Sequence, residues 1–189
     1  MEGDADPFDP TWERMLDELS GESERACAIV GVAYLDDLLG VLLEHYLIEN
    51  QDAYRDLLDP DNINAPLSSF GARVTMAYAL GLVSHSQFGA LRKLKKIRNR
   101  FGHDIDMSFS DAQVASLSLE LKALIPGLHY LDDPPGPREV FQAVVAGFSG
   151  KFSEQLRLMR QFGVTGRYAA VLRLVSRIPD ELSNGNAAA

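Results

Sequence analysis

Between Glu24 and about Asn50, apolar residues return at helical spacing: Ala28, Val32, Leu35, Leu39, Leu42 and Leu47. A 3.6-residue period gathers such positions on one side, so this stretch is expected to be a long helix. Its first half, where ACAIVGVAYL runs from Ala26 to Leu35, is expected to be largely buried. That run stops at Asp36-Asp37, well short of the roughly 20 apolar residues that cross a bilayer, so no membrane contact is expected.

The remaining segments follow the same helical grammar. Ser20 and Ser23, followed by Glu24, supply cap chemistry for the long helix. Ser68 or Ser69 can cap a helix through Ala79, with Gly81 as its left-handed terminator. SHSQ at 84–87 is a capping box that opens a helix striped by Phe88, Leu91, Leu94, Ile97 and Phe101. Ser110 to Gln113 repeats the box and opens a helix that ends before Pro126. Ahead of the long helix, residues 1–10 read as an acidic arm. Residues 11–20 read as a short amphipathic helix carrying Trp12, Met15, Leu16 and Leu19. LDDPPGP at 131–137 is a linker, and 138–149, 151–162 and 167–177 read as shorter helices punctuated by glycines. No repeat and no run of alternating strands is present. The expected fold is an all-α, single-domain bundle of about seven helices. It comprises a core at 1–130 and a helical extension at 131–189 packed on the same domain.

Charge is distributed unevenly. The chain carries a formal net charge of −9, yet Arg92, Lys93, Lys95, Lys96, Arg98 and Arg100 place six of its 18 cations within nine residues. Removing these six from the net of −9 leaves −15. A body this negative repels a long polyphosphate everywhere but at that stripe, which disfavours autonomous reading of duplex DNA. Contact with a short RNA or an acidic protein stays open, with Arg92, Lys93, Lys95, Lys96 and Arg100 as the candidate binding residues. The single Cys27 forms no internal disulfide, and the acidic first residues lack signal-peptide character. A cytoplasmic location is expected.

Few residues invite chemistry. Cys27 has no nearby basic partner and reads as a buried structural thiol. Ser149 in GFSGK is no nucleophile elbow, and Val145 and Phe152 spoil a phosphate loop. DPDNIN resembles the start of a calcium loop, but Phe70 stands where the bidentate Glu belongs. His45, His85 and His129 have no ligand spacing, and His103-Asp104-Ile105-Asp106 has no second His in range. No metal and no cofactor is expected.

LKKIRNRFGH, residues 94–103, is the richest stretch. On a continuous helix His103 lies about 140° around from Arg98, too far to share a substrate. Gly102 can end the helix and let His103 curl back toward Arg98. A neutral imidazole could then take the proton of a ribose 2′-hydroxyl while the guanidinium grips the phosphate and Asn99 orients either one. The same residues also fit plain architecture, because cations in a last turn offset the helix dipole and a His beyond it can cap carbonyls.

Three ordered blocks, ESERACAIVGVAYLDDLLGVLLEHYL, PLSSFGARVTMAYALGLVS and LRKLKKIRNRFGH, resemble the mannitol operon repressor (MltR) family over about residues 22–110. The resemblance implies a helical, repressor-like transcriptional regulator of mannitol use. Lacking a helix-turn-helix, it is implied to act through protein–protein contacts. Gly102 stands where the related RNxFAH block carries alanine. RNRFGH separately resembles the Arg-polar-x-x-x-His signature of HEPN-domain proteins, in which two protomers bring their Arg and His residues into one cleft. That likeness implies a HEPN-like homodimer with Arg98 and His103 catalytic and Asn99 supporting. The leading expectation is the regulator with a protein partner. The alternative is a metal-independent endoribonuclease acting on RNA.

Overall fold

The chain is described by a computed structural model covering residues 17, 19–47, 51–59, 61–62, 64–122 and 135–162. Among these residues there is no strand, and six helices have both ends described: α1 (Glu24–Leu47), α2 (Gln51–Leu57), α3 (Phe70–Ala79), α4 (His85–His103), α5 (Ala112–Lys122) and α6 (Pro137–Phe162); residues 17 and 19–21 are also helical. The fold is all-α. The acidic arm, most of the stretch at 11–20, most of the linker and the expected helix at 167–177 lie outside the described residues.

Ser23 starts α1, its hydroxyl accepting from the Ala26 amide at 3.2 Å. The helix is buried along its whole length and not just in its first half: Cys27, Ala28 and Val32 are fully enclosed, and so are Leu38, Leu39, Leu42 and Leu43. By length and composition α1 could cross a bilayer. In this fold it is the central helix, and α6, α4 and α3 cover it on successive sides. α5 bridges α4 and α6 and closes the bundle. A row of mutually tilted rings runs through the closure, Phe101 to Phe109 at 4.9 Å and Phe109 to Phe141 at 5.2 Å between centroids.

Helix starts follow the cap chemistry with one shift. Ser69 caps α3 by accepting from the Ala72 amide at 3.3 Å. Among the described residues Gly81, with φ 75°, has the only positive φ, and it lets the chain turn toward α4. Both arms of the Ser84/Gln87 capping box are made. At α5, however, Asp111 replaces Ser110 as the cap and accepts from the Gln113 amide at 3.0 Å, while Ser110 pairs with Ser108. A carboxylate is the stronger acceptor at a helix N-terminus. The two helices expected at 138–149 and 151–162 are one, because α6 runs unbroken through Gly150. Two helical glycines cost about 1 kcal/mol each. Burial of Phe148, Phe152, Leu156 and Met159 on the same face outweighs that cost.

One polar cluster lies at the margin of the apolar core, with Arg73 buried and Asp36 half-buried. Arg73 donates from Nη1 to the Asp36 carboxylate at 2.8 Å and to the Asp36 carbonyl at 3.2 Å. It also donates from Nε to the Leu67 carbonyl at 2.8 Å and from Nη2 to the Leu58 carbonyl at 3.1 Å. Gly40 makes room for it: a Cβ there would stand 3.2 Å from Nη1. Burial pushes the Asp36 carboxyl above its ordinary range, against the pull of Arg73; Asp37 adds to the rise and Arg98 opposes it.

Removing one member of such a pair strands the other, so Arg73→Met should lower unfolding stability by about 3–5 kcal/mol. The loss of Arg73 raises the Asp36 carboxyl further, and a raised carboxyl destabilises only where it must ionise. The deficit should therefore be full at pH ~7 and shrink as the pH falls through the raised range, which urea titrations at several pH values would read.

Candidate functional site

α4 is amphipathic by construction. Ala90, Leu91, Leu94, Ile97 and Phe101 are buried against the core, and the opposite face carries Arg92, Lys96, Asn99, Arg100 and His103, all exposed. Lys93 and Lys95 flank this face and are half-buried. The expected binding residues therefore share one surface of one helix, while Arg98 does not join them. It is half-buried and close enough to Asp36 of α1 to oppose, in small part, the rise of that carboxyl.

Gly102 does not end the helix. α4 continues to His103, Asp104 is its C-cap, and Gly102 has no positive φ. Without that break the imidazole keeps its helical station about 140° from Arg98. The expected return of His103 toward Arg98 within one chain is thus not made. Instead Arg25 of α1 fastens the helix end, donating to the Asp104 carbonyl at 2.9 Å and to the Gly102 carbonyl at 3.4 Å. Asn99 and His103, one turn apart, face α5 together.

Two grooves flank the exposed face. The larger, between α4 and α5, is an open trough of ≈ 860 Å³. One wall is Lys96, Asn99, Arg100 and His103, and the other is Gln113, Ser116, Leu117 and Glu120. Asp104 and Met107 lie at its end. The smaller, ≈ 490 Å³, lies between α3 and α4 and is lined by Gly71, Thr75, Phe88, Arg92 and Lys95. Lys96 and Asn99 stand on the ridge and belong to both.

The cations are not equivalent. Arg92 lies over the Phe88 ring, 5.5 Å from its centroid, and Phe88 stacks on Tyr78 at 4.6 Å. Lys93 pairs with Glu120 across to α5 at 3.3 Å. Lys95 extends over Gly71, where any Cβ would displace its ammonium. Lys96 and Arg100 have no ion-pair partner among the described residues. They are the open charges of the site.

Other candidates fall into structural roles. His45 bonds the Val41 carbonyl at 3.0 Å, and His85 meets the Tyr78 hydroxyl at 3.2 Å. His129 lies outside the described residues. Cys27 does have a basic neighbour, contrary to its sequence surroundings: Arg138 reaches it from α6. Burial nevertheless dominates and pushes the thiol up, so it is poorly nucleophilic. Among the described residues no group of three His, Cys, Asp or Glu side chains is placed to hold a metal ion.

No family model and no curated protein sequence matches the chain. The fold has a solved counterpart. It is similar to MtlR of Escherichia coli, as seen in the X-ray structure of the MtlR–HPr complex, with a TM-score of 0.58. The match covers 75% of this chain and 98% of that chain at 20% identity. At that identity the likeness is one of fold.

The unbroken helix end makes a direct prediction. A Cβ at Gly102 meets nothing within 4 Å, and its backbone is open to any residue. Gly102→Ala should therefore stabilise the protein by about 0.5–1 kcal/mol in urea unfolding. A left-handed terminator at this position would give the opposite sign.

Proposed function

We propose that the chain is a regulator of the mannitol operon repressor type that works by holding a partner protein on the exposed face of α4. The observation that carries this reading is the uncompensated charge of Lys96 and Arg100 on a ridge between two grooves, in a chain of net charge −9. Charge of one sign gathered on one face steers a complementary surface and fixes its docking register. The fold supports the reading, since its neighbour MtlR is seen in complex with HPr. HPr is accordingly the first partner to test. Duplex DNA fits poorly, because a few cations on one helix would have to offset the repulsion of the whole body.

Metal-free RNA cleavage by Arg98, Asn99 and His103 is the weaker reading. It would need a second copy to bring an Arg98 to a His103, because one chain turns them to different neighbours.

Titration of the full chain with purified HPr tests the leading reading. Binding should weaken about tenfold or more in Lys96→Glu/Arg100→Glu, mostly through a slower association rate that also falls with salt. Equal affinity for the two forms, or no binding at ~1 mM HPr, overturns it.

A further inference from the structure

The α3/α4 groove is built differently from its neighbour. Arg92, Lys95 and Lys96 line it, and among the described residues no carboxylate does. The α4/α5 trough, by contrast, carries Asp104 and Glu120. Three cations thus share a concavity of ≈ 490 Å³ with no acid to neutralise them. That volume falls within the roughly 300–1,000 Å³ of small-molecule sites.

Lys95 is the centre of the groove. A half-buried lysine commonly buries its stem and keeps its ammonium in water. Here the ammonium itself rests against α3, because a Cβ on Gly71 would collide with Nζ. Among the described residues Lys95 has neither an ion-pair partner nor a hydrogen bond. The Gly71 carbonyl beside it already accepts the Thr75 hydroxyl at 2.9 Å. An ammonium drawn into a groove with its donors unspent is a seat for an anion.

The neighbouring groups narrow the class of anion. Arg92 to Lys96 spans only about 6 Å of helix axis, so one tetrahedral group can meet all three cations. A phosphate monoester brings nearly two negative charges and three acceptor oxygens, which suit a guanidinium fork and two ammoniums. Phe88 is already engaged, stacked on Tyr78 at 4.6 Å and overlain by Arg92 at 5.5 Å, so little ring is free for a nucleobase. The Asn99 amide, also in the lining, suits a hydroxyl on the body of the ester.

We infer that the α3/α4 groove binds the phosphoryl group of a small, polar phosphate monoester, with Arg92, Lys95 and Lys96 on its oxygens. Lys96 also stands on the ridge that faces the partner. A bound dianion offsets its charge, so ligand and partner weaken each other's binding. That coupling rests on the partner-binding reading, whereas the site does not.

Inorganic phosphate is the probe, titrated into the full, isotope-labelled chain against chloride at matched ionic strength. The amide signals of Gly71, Thr75 and Lys95 should shift saturably with phosphate alone, half-maximally at on the order of 1 mM. Gly71→Ala keeps every charge but displaces the Lys95 ammonium, and both it and Lys95→Ala should weaken phosphate about tenfold. Lys122→Ala removes a charge outside the groove and should leave the binding unchanged. Shifts that never saturate, or that survive either groove substitution, overturn the proposal. So do saturable shifts given by a short oligoribonucleotide but not by phosphate, because the groove then takes RNA. The coupling is read separately: saturating phosphate should lower affinity for HPr about fivefold in the native chain and not in Gly71→Ala. Equal affinity where HPr does bind overturns the coupling. Phosphate binding without any HPr binding sinks the partner reading and leaves the site standing.

Discussion

A charged pair at the margin of an apolar core, its guanidinium buried, sets the geometry of what surrounds it. Arg73 cannot leave its pocket without abandoning a half-buried Asp36 carboxylate. It spends its donors on α1, on the Leu58 carbonyl and on the Leu67 carbonyl. Three segments distant in sequence are thereby locked in one register, with Gly40 supplying the space. Apolar packing alone would leave α3 free to slide along α1, because leucine contacts carry no direction. The guanidinium fork supplies that direction.

From that fixed point the orientation of α4 follows. α3 backs onto α4 as well as α1, and Gly81 makes the turn between them. The five-residue apolar stripe of α4 then has one way to face the core, which leaves its cations nowhere to point but outward. At the edges of that face the charges are tied down, Arg92 on an aromatic ring and Lys93 on a glutamate. Those in the middle are not. The net charge of −9 sharpens the contrast, since a dense positive strip on a chain of opposite net charge is a directional signal to an approaching molecule.

Much of this was legible in the residues. Apolar periodicity located α1 and α4, a serine cap and Gly81 bracketed α3, and hydroxyl–glutamine boxes located the starts of α4 and α5 to within a residue. Tertiary packing was not legible: Gly150 and Gly102 read locally as breaks, and both are overridden by helices whose faces are held by distant partners, α6 by its phenylalanines and α4 by Arg25. The Asp36–Arg73 pair could have been suspected, because an aspartate inside an otherwise apolar helix has to find a cation somewhere. Nothing near it in sequence says which one. The α5 wall of the groove left no signal at all, since Gln113, Ser116 and Glu120 look like any solvated helix face until α4 is set beside them.

The start of α4 is anchored twice. Gln87 completes the cap of its own helix and also accepts from Lys151 of α6, and Gln155 of α6 holds the Leu82 carbonyl at 3.1 Å just upstream. With Arg25 on the Gly102 and Asp104 carbonyls at the far end, both ends of the rod are pinned and the display lies between them. Exposed side chains so placed are cheap to exchange, because most surface substitutions shift folding free energy by no more than about 0.5 kcal/mol. A lineage built on this scaffold could retune whom it recognises, one side chain at a time, without reopening the question of how it folds.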